Sequence, residues 1–369
     1  MKIVLLCWRD THHPQGGGSE RYLERVAEHL AANGHEVIYC TARYTDAPAR
    51  SMRNGVAYRR AGGKHSVYIR TALTMLAGRC GFGALKGADI IVDTQNGIPF
   101  FARIFAGKPT ILLTHHCHKE QWPVAGRLLA KIGWFLESTL SPRIHRNTQV
   151  ITVSLPSKAE LIELGYREEN ISIIRNGVDP LPHTLPTLAA DEHIHLVTLS
   201  RLVPHKQIEH AIWAIRDLNN VVLDVIGSGW WADKLQEYAH NQGVCDRVIF
   251  HGQVTEDYKH ALLDRATIHL MPSRKEGWGL AVLEAAQHKV PTIGYFSAGG
   301  LKDSIAHQHT GVLVEGKQQL HKAITYLLDH EDYRKILGEN AAKKAAGYSW
   351  EETGTQFCQV LDKELHTRP

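Results

Sequence analysis

The sequence predicts an α/β protein made of two doubly wound, parallel-sheet domains facing each other across a deep cleft. Three observations carry this prediction. Short apolar runs alternate with helix-length amphipathic segments along the chain, the pattern of repeated βα units. That alternation restarts once, after a link at Asn176-Gly177-Val178-Asp179 followed by Pro180, Pro182 and Pro186. The chain of 369 residues, 43% hydrophobic and 22% charged, is long enough for two cores at roughly 100–200 residues per domain. The expected divisions are 1–179, 180–349 and a closing helix at 350–369. Pattern alone leaves open whether that helix crosses back to the first domain.

The first run, 3–7, fits a buried parallel strand. A loop ending in Gly16-Gly17-Gly18-Ser19 follows, and then Tyr22, Leu23, Val26, Ala27 and Leu30 share one helical face. Asn33-Gly34 is a helix stop, and 36–40 resumes as strand, completing a βαβ unit. Runs at 90–92, 110–113 and 149–153 continue the first sheet. Runs at 195–199, 221–226, 248–250, 268–271 and 291–294 build the second. Trp350, Phe357, Val360 and Leu361 give the last segment its helical spacing.

No apolar run approaches the roughly 18–20 residues of a membrane span, and the amino terminus lacks the features of a signal peptide. The six cysteines form no C-x-x-C pair, so neither zinc nor a disulfide framework is expected. These features predict a cytoplasmic protein. Its formal net charge of +4 hides an asymmetry: residues 1–179 carry 23 basic and 15 acidic residues, whereas 180–369 carry 19 and 23. The stretch 43–86, which includes Arg59, Arg60, Lys64 and Arg70, holds nine bases and one acid. It reads either as a solvated face or as a surface for an anionic partner. It lacks a nucleic-acid-binding motif, so a nucleic-acid role is disfavoured.

Two glycine-rich turns follow strands. Gly17 and Gly18 precede a helix, where backbone N–H groups favour an anion, although such turns are often merely tight. Gly227-Ser228-Gly229-Trp230-Trp231-Ala232 matches a dinucleotide fingerprint, but the following strand ends Ile249-Phe250-His251 without the carboxylate that would hold a ribose. The most informative stretch is Glu276-Gly277-Trp278-Gly279-Leu280-Ala281-Val282-Leu283-Glu284. Its two carboxylates stand eight positions apart across a turn that opens an apolar helix, a span of at most roughly 12 Å. One ligand could be gripped at both ends, with helix-start N–H groups between for a phosphate. Upstream, Arg201 and Lys206 leave the first strand of the second domain on the edge where open α/β sheets bind ligands. A guanidinium and an ammonium suit a diphosphate. The plainer alternatives are solvated glutamates and exposed bases.

These segments, S-R-L-V-P-H-K, E-G-W-G-L-A-V-L-E-A and N-G-V-D, resemble those of family-4 glycosyltransferases, retaining enzymes of the GT-B fold with two Rossmann-like domains. The resemblance runs from the Gly16–Ser19 loop to Tyr348-Ser349-Trp350-Glu351. It implies that Arg201 and Lys206 bind a donor diphosphate, Glu284 the donor ribose and Glu276 the donor sugar. It places the backbone of Gly277, Trp278, Gly279 and Leu280 beside sugar and phosphates, Gly17 and Gly18 near the phosphate, and Gly227 beside the nucleotide. It also implies a sugar-contacting histidine, for which His115 fits best, with His116 and His118 as neighbours. No D-x-D triplet occurs in the chain, which agrees with neutralisation of the leaving group by Arg and Lys and with no metal cofactor.

The expected reaction is transfer of a hexosyl unit, with retention, from GDP-mannose or a UDP-sugar to a glycan, lipid-linked or small-molecule hydroxyl. The alternatives are a nucleotide-sugar epimerase of similar fold and a non-catalytic sugar-nucleotide-binding module. Residues 122–136, with Trp122, Arg127 and Lys131, mix aromatics, leucines and bases. They read as an ordinary surface helix or, with the basic stretch, as a peripheral contact with the inner face of an anionic membrane.

Overall fold

The computed structural model describes residues 1–122 and 126–366. Residues 123–125 of the amphipathic stretch and 367–369 of the closing segment lie outside the described residues. The chain forms two units, one of residues 1–177 and 350–369 and the other of residues 178–349.

Among the described residues the first unit is built on eight strands: β1 (Lys2–Leu6), β2 (Glu36–Thr41), β3 (Arg50–Arg53), β4 (Val56–Arg60), β5 (Ile90–Thr94), β6 (Thr110–Leu113), β7 (Gln149–Thr152) and β8 (Ile171–Ile173). Their order is β3-β4-β2-β1-β5-β6-β7-β8, all parallel except β3, which pairs antiparallel with β4. Ile3 to Leu6 of β1 are fully buried, as a central strand covered on both faces requires. The reversal of strand order between β1 and β5 is the switch point where such sheets bind ligands.

The β3–β4 hairpin lies inside the basic stretch that read as surface. Asn54 and Gly55 have φ of 47° and 78°, the two positive values of a type I′ turn, whose preferred pair is Asn-Gly. Alternation then turns Val56, Tyr58 and Arg60 inward. Arg60 is 6% exposed and places Nη2 2.7 Å from the buried Asp10. This corrects its assignment to an acceptor or membrane face: the guanidinium neutralises an internal carboxylate.

The closing helix, Trp350–His366, packs on the helix Gly18–Ala32 within this unit. Trp350 and Phe357 set their rings edge-on to Tyr22, and Gly354 lies so close to His29 that a Cβ would come 2.2 Å from its ring. No described helix is long and apolar enough to cross a membrane.

The second unit has β9 (Ile194–Leu199), β10 (Val221–Ile226), β11 (Val248–Gly252), β12 (Ile268–Met271), β13 (Thr292–Tyr295) and β14 (Gly311–Val314). The order is β11-β10-β9-β12-β13-β14, wholly parallel, with its switch point between β9 and β12. Asp224 on β10 is fully buried, with His195 Nδ1 and His251 Nε2 each 2.7 Å away and Arg265 at 3.2 Å. Burial pushes its carboxyl up, but the two histidines and Arg265 outweigh that and hold it at about 2. Because this lies below the unfolded value, ionised Asp224 stabilises the fold above pH about 4, and the contribution is lost as pH falls through about 2. Denaturant unfolding of Asp224→Asn should show a loss of about 2 kcal/mol at neutral pH. The two stabilities should converge as pH drops from 4 toward 2; a pH-independent gap would contradict this.

Candidate active site

In the second unit the site elements gather at the carboxyl ends of β9, β10 and β12. Arg201, half-buried, lies two residues beyond β9. The 200–202 loop rests backbone-on-backbone against the glycine turn after β10. A Cβ at Gly227 would lie 2.0 Å from the Ser200 carbonyl, and one at Gly229 2.1 Å from that of Leu202. Leu202 donates its N–H to the Ser228 carbonyl at 2.9 Å. These glycines therefore permit two loops to touch, a sufficient reason for the G-x-G pattern that imitates a dinucleotide site.

A short 3-10 turn, Pro204–Lys206, then points Lys206 at Glu276, with Nζ 2.5 Å from Oε1. Both side chains are largely buried. Burial alone would raise the Glu276 carboxyl, but Lys206 and a hydrogen bond from Ser273 outweigh it and hold it below the usual range. The Glu276 backbone is fixed on both sides: its N–H donates to the Ala298 carbonyl at 2.8 Å, and its own carbonyl accepts from Gly300 at 3.0 Å. Gly279, at φ 90°, turns the chain into the helix Leu280–Gln287. That conformation favours glycine. The Val282 N–H turns back to the Gly279 carbonyl at 2.9 Å, and those of Leu280 and Ala281 head the helix.

Trp278 is 2% exposed, its ring 5.3 Å from that of Tyr348. Its side chain belongs to the core, so only its backbone could meet a ligand. Glu284 stands apart from the Lys206–Glu276 pair and binds Lys259, Nζ to Oε1 at 2.6 Å. Burial would lower the Lys259 ammonium, but Glu284 and Glu256 overcome this and raise it. Sequence reasoning missed Lys259, which lies 25 positions from its partner and in no motif.

In the first unit three loops leave the carboxyl ends of β1, β5 and β6, and each is pinned by a fully buried carboxylate. Glu20 accepts the Gly17 N–H at 2.9 Å, Arg9 Nη2 at 2.9 Å and Asn96 Nδ2 at 3.1 Å. Gly17 thus donates its N–H to a protein carboxylate, which corrects its place as an open anion donor; Gly18 begins the helix. Asp93 accepts from the N–H groups of Phe100 and Ala102 at 2.7 and 2.9 Å, and burial still pushes its carboxyl up to about 6. Glu137 accepts the His118 N–H at 2.9 Å and Trp122 Nε1 at 2.6 Å.

The three histidines part company. His116 stacks on His118 at 4.6 Å and has Nε2 2.9 Å from Gln121 Nε2; His118 bonds to Glu137. His115 is 5% exposed, edge-on to Tyr22, and its buried Nε2 has no hydrogen-bond partner among the described residues. Burial lowers its pKa to about 4, so the ring is neutral at pH 7. Of the surface candidates, Lys64, Arg70, Arg127 and Lys131 are exposed, Arg59 is half-buried, and Trp122 folds inward. The helix Arg127–Phe135 buries only Gly133, leaving Leu128, Leu129, Ile132 and Phe135 exposed.

Comparison with known proteins identifies the family. Residues 16–180 match the family described as Glycosyltransferase Family 4, and residues 186–344 match Glycosyl transferases group 1. An uncharacterized glycosyltransferase of Methanocaldococcus jannaschii is 26% identical, with 98% of this chain and 97% of that protein covered. The GDP-mannose-dependent alpha-(1-6)-phosphatidylinositol monomannoside mannosyltransferase of Mycobacterium tuberculosis is 29% identical over 66% of each chain. Among solved structures, sucrose-phosphate synthase from Thermosynechococcus elongatus superposes with a TM-score of 0.83 at 20% identity, covering all of both chains. With both halves matched and the two sheets in place, the chain belongs to the family-4 glycosyltransferases of the GT-B fold.

Proposed function

We propose that the protein transfers a hexosyl unit, with retention of configuration, from a nucleotide diphosphate sugar to an acceptor hydroxyl and needs no metal. The observation that carries this reading is the Lys206–Glu276 pair at the switch point between β9 and β12, just before the amino end of the helix Leu280–Gln287. A largely buried ammonium held by a carboxylate is already oriented when an anionic ligand arrives, so little reorganisation remains at the moment of reaction. Arg201, Lys206 and the helix-start N–H groups stabilise the departing diphosphate. Glu276 contacts the sugar and Glu284 the ribose. The acceptor hydroxyl attacks the face the leaving group vacates, and a departing phosphate oxygen takes its proton.

Acceptor recognition is assigned to the first unit. His115, neutral and with an unpartnered buried nitrogen, is favoured over His116 and His118 as the sugar contact. GDP-mannose, the donor in the name of the mycobacterial relative, stands beside UDP-sugars as a donor candidate. The same unit exposes leucines, Ile132 and Phe135 between Arg127 and Lys131. That combination suits peripheral contact with an anionic bilayer presenting a lipid-linked acceptor.

Donor hydrolysis and transfer, assayed in EDTA, should fall on the order of 100-fold or more in Arg201→Ala and in Glu276→Ala, with a new glycoside as the wild-type product. Unchanged turnover in both variants would sink the assignment, and an epimerised nucleotide sugar would replace it. Co-sedimentation should be strong with vesicles containing anionic lipid, weak with neutral ones, and reduced in Leu128→Ser/Phe135→Ser. Equal, negligible binding to both vesicle types removes the membrane contact.

A further inference from the structure

Glu137 is absent from every motif in the sequence, yet it is among the most enclosed charges of the first unit, with no exposed surface. It lies in a single π-helical turn, Leu136–Leu140, between the helices Arg127–Phe135 and Ser141–Ile144. Such a turn takes one extra residue and offsets the side chains before it from those after it by about 100°. Such single turns are rare in helices and recur at functional sites, so what holds this one in place matters. Glu137 ties it to the loop that follows β6. Oε1 accepts the His118 N–H at 2.9 Å and faces His118 Nδ1 at 3.2 Å, while Oε2 accepts Trp122 Nε1 at 2.6 Å.

The Trp122 ring is fixed from two further sides. A Cβ at Gly133 would lie 2.2 Å from it, and one at Gly97 would lie 3.1 Å from it. The histidine loop is therefore pinned at positions 118 and 122 by one carboxylate. At its other end, the Ser157 hydroxyl donates to the His115 carbonyl at 2.8 Å. His116 and Gln121, 2.9 Å apart, close the span between. Nothing in this arrangement leaves Glu137 able to touch a substrate, and everything in it sets where the loop sits.

We propose that Glu137 is a positioning residue for the transfer reaction, latching the histidine loop 115–122 in the one placement from which His115 meets the sugar. The assignment rests on the function proposed above. A carboxylate is needed because it accepts at both oxygens, whereas an amide of the same shape must turn a donor toward either His118 or Trp122.

The test compares the full-length wild type with Glu137→Gln and with Trp122→Phe, which removes the Nε1–H bond together with the outer indole ring that lies against Gly97 and Gly133. Hydrogen exchange at the His118 amide, donor hydrolysis kinetics and melting temperature are measured together. Glu137→Gln should exchange faster at His118 and lose 10–100-fold in kcat, the order expected for a misplaced reacting group. Its donor KM should stay within about twofold, because the donor is gripped by the second unit. Trp122→Phe should fall between, and it carries the test if Glu137→Gln does not fold. A released loop with kcat unchanged overturns the latch, as does a loss confined to melting temperature. A wild type that turns over no donor overturns the transfer reaction itself, a result separable from a working wild type with unaffected variants.

Discussion

A carboxylate removed from water costs several kcal/mol unless donors surround it, and the first unit supplies those donors from the backbone and side chains of its own loops. Glu20, Asp93 and Glu137 have no exposed surface, and each accepts N–H groups from a loop at the carboxyl edge of the sheet. Moving any of these loops would leave a buried carboxyl group without its donors. The glycine loop, the 95–101 loop and the histidine loop are thereby held by interior hydrogen bonds as well as by apolar packing. This is how segments with little secondary structure can present fixed atoms to a ligand.

The second unit solves a related problem with side-chain cations. Lys206 meets Glu276 and Lys259 meets Glu284, so both carboxylates of the E-x7-E motif are compensated in advance. Exchanging a phosphate for a carboxylate at such a cation changes partners without first desolvating a free charge. Around these pairs the backbone is packed so closely that Gly227, Gly229 and Gly300 admit no Cβ; at Gly300 it would lie 2.1 Å from the Gly277 carbonyl. Precision of placement and the glycine content of the motifs have the same origin.

The parallel core, the linker and the E-x7-E helix start were legible because each is written in local pattern: apolar runs, prolines, and a Gly-x-Gly turn. What escaped depends on partners distant in sequence. Glu137 and Lys259 acquire their roles from residues 19 and 25 positions away. The β3–β4 hairpin had its turn spelled out in Asn54-Gly55, but the density of arginine masked it, and Arg60 proved to serve Asp10. The helix Arg127–Phe135 kept its predicted mixture of apolar and basic residues while leaving the apolar ones exposed.

Transfer from a nucleotide diphosphate sugar requires the cations at the β9–β12 switch point to hold a diphosphate. Calorimetric titration of the full-length protein in EDTA with UDP, GDP and ADP, each against its monophosphate, measures this directly. At least one diphosphate should bind tenfold or more tightly than its monophosphate, about 1.4 kcal/mol, and the advantage should shrink in Lys206→Ala. Equal affinity for mono- and diphosphates, or no binding of any of the three, would contradict it.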